Sequence, residues 1–138
     1  MRIQQISVFL ENKTGRLAEV TRLIAEAGVN IRALSIADTA EFGILRLIVD
    51  KPADAAEALA KGGFTTRMTD VLAIEIPDKP GSLAKVMEVF KDTGVNIEYL
   101  YASLEKDCST AVVIFKVEDL DLGLKIAAEH KLLTVECL

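Results

Sequence analysis

Residues Pro77 to Val86 read PDKPGSLAKV, a proline and a glycine set directly ahead of an apolar-periodic run, and residues Glu11 to Val20 read ENKTGRLAEV, nearly the same phrase. Displacing the chain along itself by 66 residues lays Asn12 to Ile31 on Asp78 to Ile97. The identities are Lys13/Lys79, Gly15/Gly81, Leu17/Leu83, Ala18/Ala84, Val20/Val86, Gly28/Gly94, Val29/Val95, Asn30/Asn96 and Ile31/Ile97. Agreement of that density is the mark of a tandem duplication, which here predicts a first unit over 1–69 and a second over 70–138.

Working outward, Ile6, Val8 and Leu10 alternate with polar residues, as Leu72, Ile74 and Ile76 do in the second copy, the period of a half-buried strand. Beyond the glycine the period changes. Leu17, Val20, Ile24 and Ala27, and in the second copy Leu83, Val86 and Phe90, fall on one helical face. Gly28 and Gly94 stand where a helix closes on a left-handed residue. Strands resume in NIRALSIAD and NIEYLYASL, turn at Glu41–Gly43 and Lys106–Cys108, and return in ILRLIVD and VVIFKVED, which match at an offset of 68. A second helix (DAAEALAKG, LDLGLKIAAEH) and a last strand (FTTRMT, LLTVECL) complete each copy. The order βαββαβ predicts an α+β protein of two ferredoxin-like units in tandem, with antiparallel sheets and helices on one face. No Pro, Gly or Ser linker separates them, so the halves are expected in fixed contact. The third strands are apolar on both faces, Ile44 and Ile48 behind Leu45 and Leu47, Val112 and Ile114 behind Val113 and Phe115. Something should therefore cover the second face, and another copy of the chain, a homodimer, is the simplest candidate.

Composition narrows the function classes. With 51% hydrophobic and 27% charged residues and no apolar run near the length of a membrane span, no membrane role is expected. The first residues lack the unbroken apolar stretch of a signal peptide, which places the chain in the cytoplasm. A net charge of −5 with scattered acids speaks against nucleic acid. Cys108 and Cys137 show neither a disulfide framework nor metal-ligand spacing, so no metal and no cofactor are expected. His130 falls in the last helix among Ala, Glu and Lys, on a solvated face, and the serines and cysteines stand in no nucleophile setting, so no catalytic residue is assigned.

The two quoted phrases join the first strand to the first helix of each copy. A helix start leaves backbone N–H groups without internal partners and is the positive end of the helix dipole, so it can receive a carboxylate. Gly15 and Gly81 let a ligand approach the backbone. Asn12 and Asp78 can cap the helix or accept hydrogen bonds from an ammonium group, and a carboxylate beside an ammonium group describes a free α-amino acid. The same residues, with Pro80 at the first helical turn, are also ordinary helix-start signals, and spacing leaves both readings open.

IEIPDKPGSLAKVMEVFKDTGVNIEYL resembles the opening of an ACT domain, a small ligand-sensing module attached to many enzymes of amino-acid metabolism, and VFLENKTGRLAEVTRLIAEAGVNIRALSI resembles a second. The resemblance spans both copies. It implies units joined side by side with free amino acids bound at their seam: Asn12, Lys13, Thr14, Gly15, Arg16 and Leu17 facing the second unit, and Asp78, Lys79, Pro80, Gly81, Ser82 and Leu83 the first. It also implies that Asn30, Ile31, Asn96 and Ile97 close the pockets from the opposite unit; binding would then have to act through a partner, such as a regulated enzyme, or through an oligomeric change. The first loop departs from the family pattern at Thr14 and Arg16, which favours the Asp78–Leu83 loop as the better-formed site. A pure protein-interaction module and a small ferredoxin-like enzyme are the competing readings. RNA binding is disfavoured, because the strands lack the stacking aromatic pair and Tyr99 and Tyr101 fit a sheet face or an interface better.

Overall fold

Alternating side chains carry Ile3–Glu11 into strand β1, and the change of period after Gly15 carries Arg16–Glu26 into helix α1. The computed structural model describes residues 2–38, 41–104 and 108–138. The elements continue with β2 (Ile31–Asp38), β3 (Phe42–Val49), α2 (Pro52–Lys61), β4 (Thr65–Pro77), α3 (Ser82–Phe90), β5 (Ile97–Leu104), β6 (Thr110–Val117), α4 (Leu120–Glu129) and β7 (Leu133–Thr134). Helices α1 and α3, and strands β2 and β5, begin 66 residues apart, whereas β3 and β6, and α2 and α4, begin 68 apart. The two added residues thus fall between β5 and β6. Of the turn expected at Lys106–Cys108, Lys106 and Asp107 lie outside the described residues, and Cys108 takes a left-handed φ of 59°.

Two compact units result, Gln4–Thr69 with Leu138, and Asp70–Cys137 with Arg2 and Ile3. Arg2 joins the latter by ion pairs to Asp70 and Asp121. Each unit has the βαββαβ order, and the 13-residue β4 supplies the last strand of one and the first of the other without a break.

In the first unit β3 lies between β2 and β1, and the register Ile6↔Leu47 and Val8↔Leu45 sets four large side chains on one face. Val20 and Ile24 of α1 and Ala55 and Leu59 of α2 close over them. Each fully buried Leu, Ile or Val contributes about 1.5–3 kcal/mol. In the second unit β6 lies between β5 and β4, and Leu72, Ile74, Val113 and Phe115 meet Val86 and Phe90 of α3 and Ile126 of α4. The Phe90 and Phe115 rings pack tilted by 50°, centroids 6.1 Å apart.

Of the second-face residues, Ile48, Val112 and Ile114 are only 2%, 3% and 0% exposed. The edge strands carry exposed large apolar residues of their own, Leu34 and Ile36 opposite Leu47 and Leu45, and Leu100 and Leu104 opposite Phe115 and Ala111. The last strand is shorter than LLTVECL suggests, since only Leu133 and Thr134 pair with β4, followed by one bond from Val135 N–H to the Ala73 carbonyl. Exposed Glu136 and Cys137 interrupt the alternation there.

One difference between the copies yields a stability prediction. Helix α2 closes on Gly63, φ 86°, with Phe64 N–H donating to Leu59 O at 3.0 Å, and α4 closes the same way on Lys131, φ 55°, with Leu132 N–H on Ala127 O at 2.9 Å. A non-glycine residue is strained there. Lys131→Gly should therefore raise stability by about 0.5–1 kcal/mol despite the greater freedom of glycine in the unfolded chain. A urea midpoint that fell would show that the lysine side chain gives back more than its backbone costs.

Candidate functional site

In each unit the connection from first strand to first helix is built the same way. Asn12 N–H donates to Glu41 O at 2.9 Å and Asp78 N–H to Ser109 O at 2.9 Å, tying both loops to the hairpin beside them. Arg16 N–H then reaches back to Lys13 O, and Ser82 N–H to Lys79 O, each at 3.3 Å. These bonds close four-residue turns whose third residues are Gly15 (φ 87°, ψ −12°) and Gly81 (φ 90°, ψ −10°), the pattern of a type II turn, which favours Pro second and requires a left-handed residue third. Pro80 is therefore the second residue of a turn and not, as expected, part of the first helical turn. Its fixed φ of about −65° suits both positions, which is why sequence does not separate them.

The helix starts at Arg16 and Ser82 consequently have glycine at the N-cap and no side-chain cap at all. Asn12 and Asp78 do not cap them, in contrast to Asp119, whose carboxylate accepts from Leu122 N–H at 3.1 Å at the start of α4. A Cβ placed on Gly15 or Gly81 meets no atom within 4 Å, so open space lies against the turn. Leu17 and Leu83, one residue into each helix, are exposed apolar side chains. Ser82 is 6% exposed, and its Oγ has no hydrogen-bond partner among the described residues.

Charge is distributed unequally between the loops. Lys13 Nζ lies 2.7 Å from Glu11, and this ammonium holds the Glu11 carboxyl below the usual carboxylate range. Arg16 donates to Glu19 at 3.1 Å and, with Phe9, Leu10, Glu11, Phe42, Phe64, Thr65 and the Gly62–Gly63 backbone, lines a half-open cleft of about 270 Å³. The aromatic members of this cleft were not among the residues singled out from the sequence. Comparing the copies position by position would have flagged them, since Phe9, Phe42 and Phe64 correspond to Glu75, Thr110 and Leu132.

Within their own units Asn30, Ile31, Asn96 and Ile97 stand at the start of the second strands, at the end of α1 or α3 away from the glycine turn. Within its unit Asn30 follows the far end of α1, about 16 Å of helix from Arg16. Its N–H donates to Asp50 Oδ1 at 2.9 Å, and Asp50 N–H returns to Asn30 O at 3.1 Å. Glu118 N–H likewise donates to Asn96 O at 2.9 Å, and the Asn96 amide reaches Glu118 at 3.5 Å. Both asparagines thus brace the end of the third strand, and neither meets the glycine turn of its own unit. His130 is the C-cap of α4, with Nδ1 3.0 Å from Ile126 O. Among the described residues no group of three His, Cys, Asp or Glu is placed to hold a metal ion, and no helix is long and apolar enough to cross a membrane.

Residues 1–136 match the family described as ACT domain pair, whose members are regulatory, non-catalytic modules. Among solved structures the chain is similar to protein BT0572 from Bacteroides thetaiotaomicron, at 41% identity and a TM-score of 0.93 over 98% of this chain and 92% of that one. It also shares its fold with the ligand-free regulatory subunit of aspartate kinase from Thermus thermophilus (21% identity, TM-score 0.69, 93% and 91% covered). The corresponding subunit from Thermus flavus is alike (21% identity, TM-score 0.65, 94% and 92% covered). No curated protein matches the sequence.

Proposed function

We propose that this chain, which belongs to the family of ACT domain pairs, is a cytoplasmic, non-catalytic sensor that binds a free amino acid at its turn–helix junctions. One observation carries the reading: α1 and α3 both start on a left-handed glycine, with no side-chain cap and open space against the turn. A ligand carboxylate would take the place of the missing cap, accepting from the amides of the first helical turn. The unpartnered Ser82 hydroxyl supports the second unit as the principal site, and exposed Leu83 offers contact to an apolar side chain. Binding would act on a regulated enzyme, or on assembly of the chain itself, through different affinity for two states.

A thermal-shift panel of the twenty amino acids tests this. A ligand at about 100 times its Kd adds about 2.7 kcal/mol, a rise of several degrees. One or two amino acids are expected to give that rise in the native chain, and those held by the second unit to lose it in Gly81→Leu. The exposed leucines and isoleucine on β2 and β5 favour a second reading, an assembly module without a small ligand. A flat panel, together with a dimer in light scattering that Leu104→Glu disrupts, would select it.

A further inference from the structure

Three of the chain's five phenylalanines line the cleft beside the first loop, and the other two, Phe90 and Phe115, form the ring pair of the second core. Phe9 and Phe42 are 46% and 59% exposed, an unusual outlay of aromatic surface in a chain with so few rings. Their placement follows from register: Phe9 lies opposite Ile44 and Glu11 opposite Phe42, so the two rings are diagonal neighbours on one sheet face. Phe64, delivered by the left-handed close of α2 at Gly63, forms a further side.

Arg16 supplies the polar end. Its guanidinium carries five N–H donors, and the bond to Glu19 uses one of them. Glu11, the one carboxylate in the lining, is held in the ion pair with Lys13. The volume, about 270 Å³, falls just below that of drug-sized small-molecule sites, which run from about 300 to 1,000 Å³, and suits one ring with a short chain. None of this recurs in the second unit, where Glu75, Ser82, Thr110, His130, Lys131 and Leu132 occupy the corresponding positions.

We propose that this cleft binds an aromatic carboxylate, its ring against Phe9, Phe42 and Phe64 and its carboxylate on Arg16. Offset or edge-on ring contacts and a two-point guanidinium–carboxylate bond are the interactions that such a lining offers. The inference rests on the reading that the turn–helix junctions receive a carboxylate. It adds that the first unit selects a ring, whether the acid bears an α-amino group, an α-keto group or neither.

The test is calorimetric titration of the full chain with phenylacetate, L-phenylalanine and phenylpyruvate, against phenylacetamide and L-threonine. Ring-bearing acids are expected to bind once per chain and more tightly than L-threonine, and the three acids rank the substituents. Phe42→Ala should weaken them about tenfold or more. Arg16→Gln should do the same and abolish the preference for phenylacetate over phenylacetamide. Thr110→Ala, the corresponding position of the second unit, should change nothing. Phe42→Leu, which keeps apolar bulk without a ring, decides the matter if the alanine variant does not fold. The proposal is overturned if L-threonine binds as tightly as the ring compounds, or if folded Phe42 variants bind phenylacetate unchanged. Failure of every ring-bearing acid to bind, beside an aliphatic amino acid whose binding Gly81→Leu removes and Phe42→Ala spares, would sink this inference and leave the sensor reading standing. Silence from every probe would sink this inference and leave the sensor reading to the panel of twenty amino acids.

Discussion

Phe115→Ala is expected to destabilise the chain by about 3–5 kcal/mol and to lower its Tm by about 10 °C or more. Phe115 is fully buried and packs against Phe90 at a tilt, within the cluster that strands and helices form in the second core. Truncation removes the transfer free energy of the ring and leaves a cavity that strands β4 and β6, locked in register, cannot collapse to fill. For a domain whose whole stability is about 5–15 kcal/mol, that is a large share. Urea denaturation followed by far-UV circular dichroism measures the loss, with Leu104→Ala, at an exposed edge position, expected to stay within about 0.5 kcal/mol. If Phe115→Ala cost less than about 1 kcal/mol, the ring pair would not be what holds this core together.

The second large effect is expected at Gly81. With φ at 90° and nothing within 4 Å of an added Cβ, Gly81→Leu meets backbone strain and no clash at Cβ. The expected destabilisation is about 1–2 kcal/mol. Gly81→Asn, whose side chain tolerates the left-handed region, should lose about half as much. Affinity should respond differently. Leucine fills the open space against the turn and should abolish the amino-acid shift of the second unit, whereas asparagine should weaken it in proportion to its smaller bulk. Stability equal to the native chain in Gly81→Leu would mean that the turn relaxes to another geometry, and the type II assignment would fall with it.

The layout was legible because repetition and period are properties of the chain itself. The offset of 66 locates α1 and α3 together, and the shift to 68 locates the longer β5–β6 connection. Pro80 shows where such reading stops. Proline is favoured at the second residue of a type II turn and at the first of a helix for one reason, its fixed φ, and what separates the two is the left-handed backbone of Gly81. The apolar second face of β6 was visible as Val112 and Ile114, but a pattern records that a residue is to be buried and not what buries it. The aromatic cleft is the extreme case. Phe9, Phe42 and Phe64 are far apart in sequence, each reads alone as an ordinary apolar residue, and register and a helix close bring them to one place.

Each unit closes its own apolar core, one built on Leu45 and Leu47 and the other on Phe115. For a gene that has doubled, this separates survival from specialisation. Substitutions at the rim of one half are not paid for in the core of the other, so the copies can drift apart in what they recognise while both continue to fold. The accumulation of Phe9, Phe42, Phe64 and Arg16 in one half, against Glu75, Thr110, Leu132 and Ser82 in its twin, is the divergence that such freedom permits. A chain with this history can acquire a second chemical vocabulary while retaining the first.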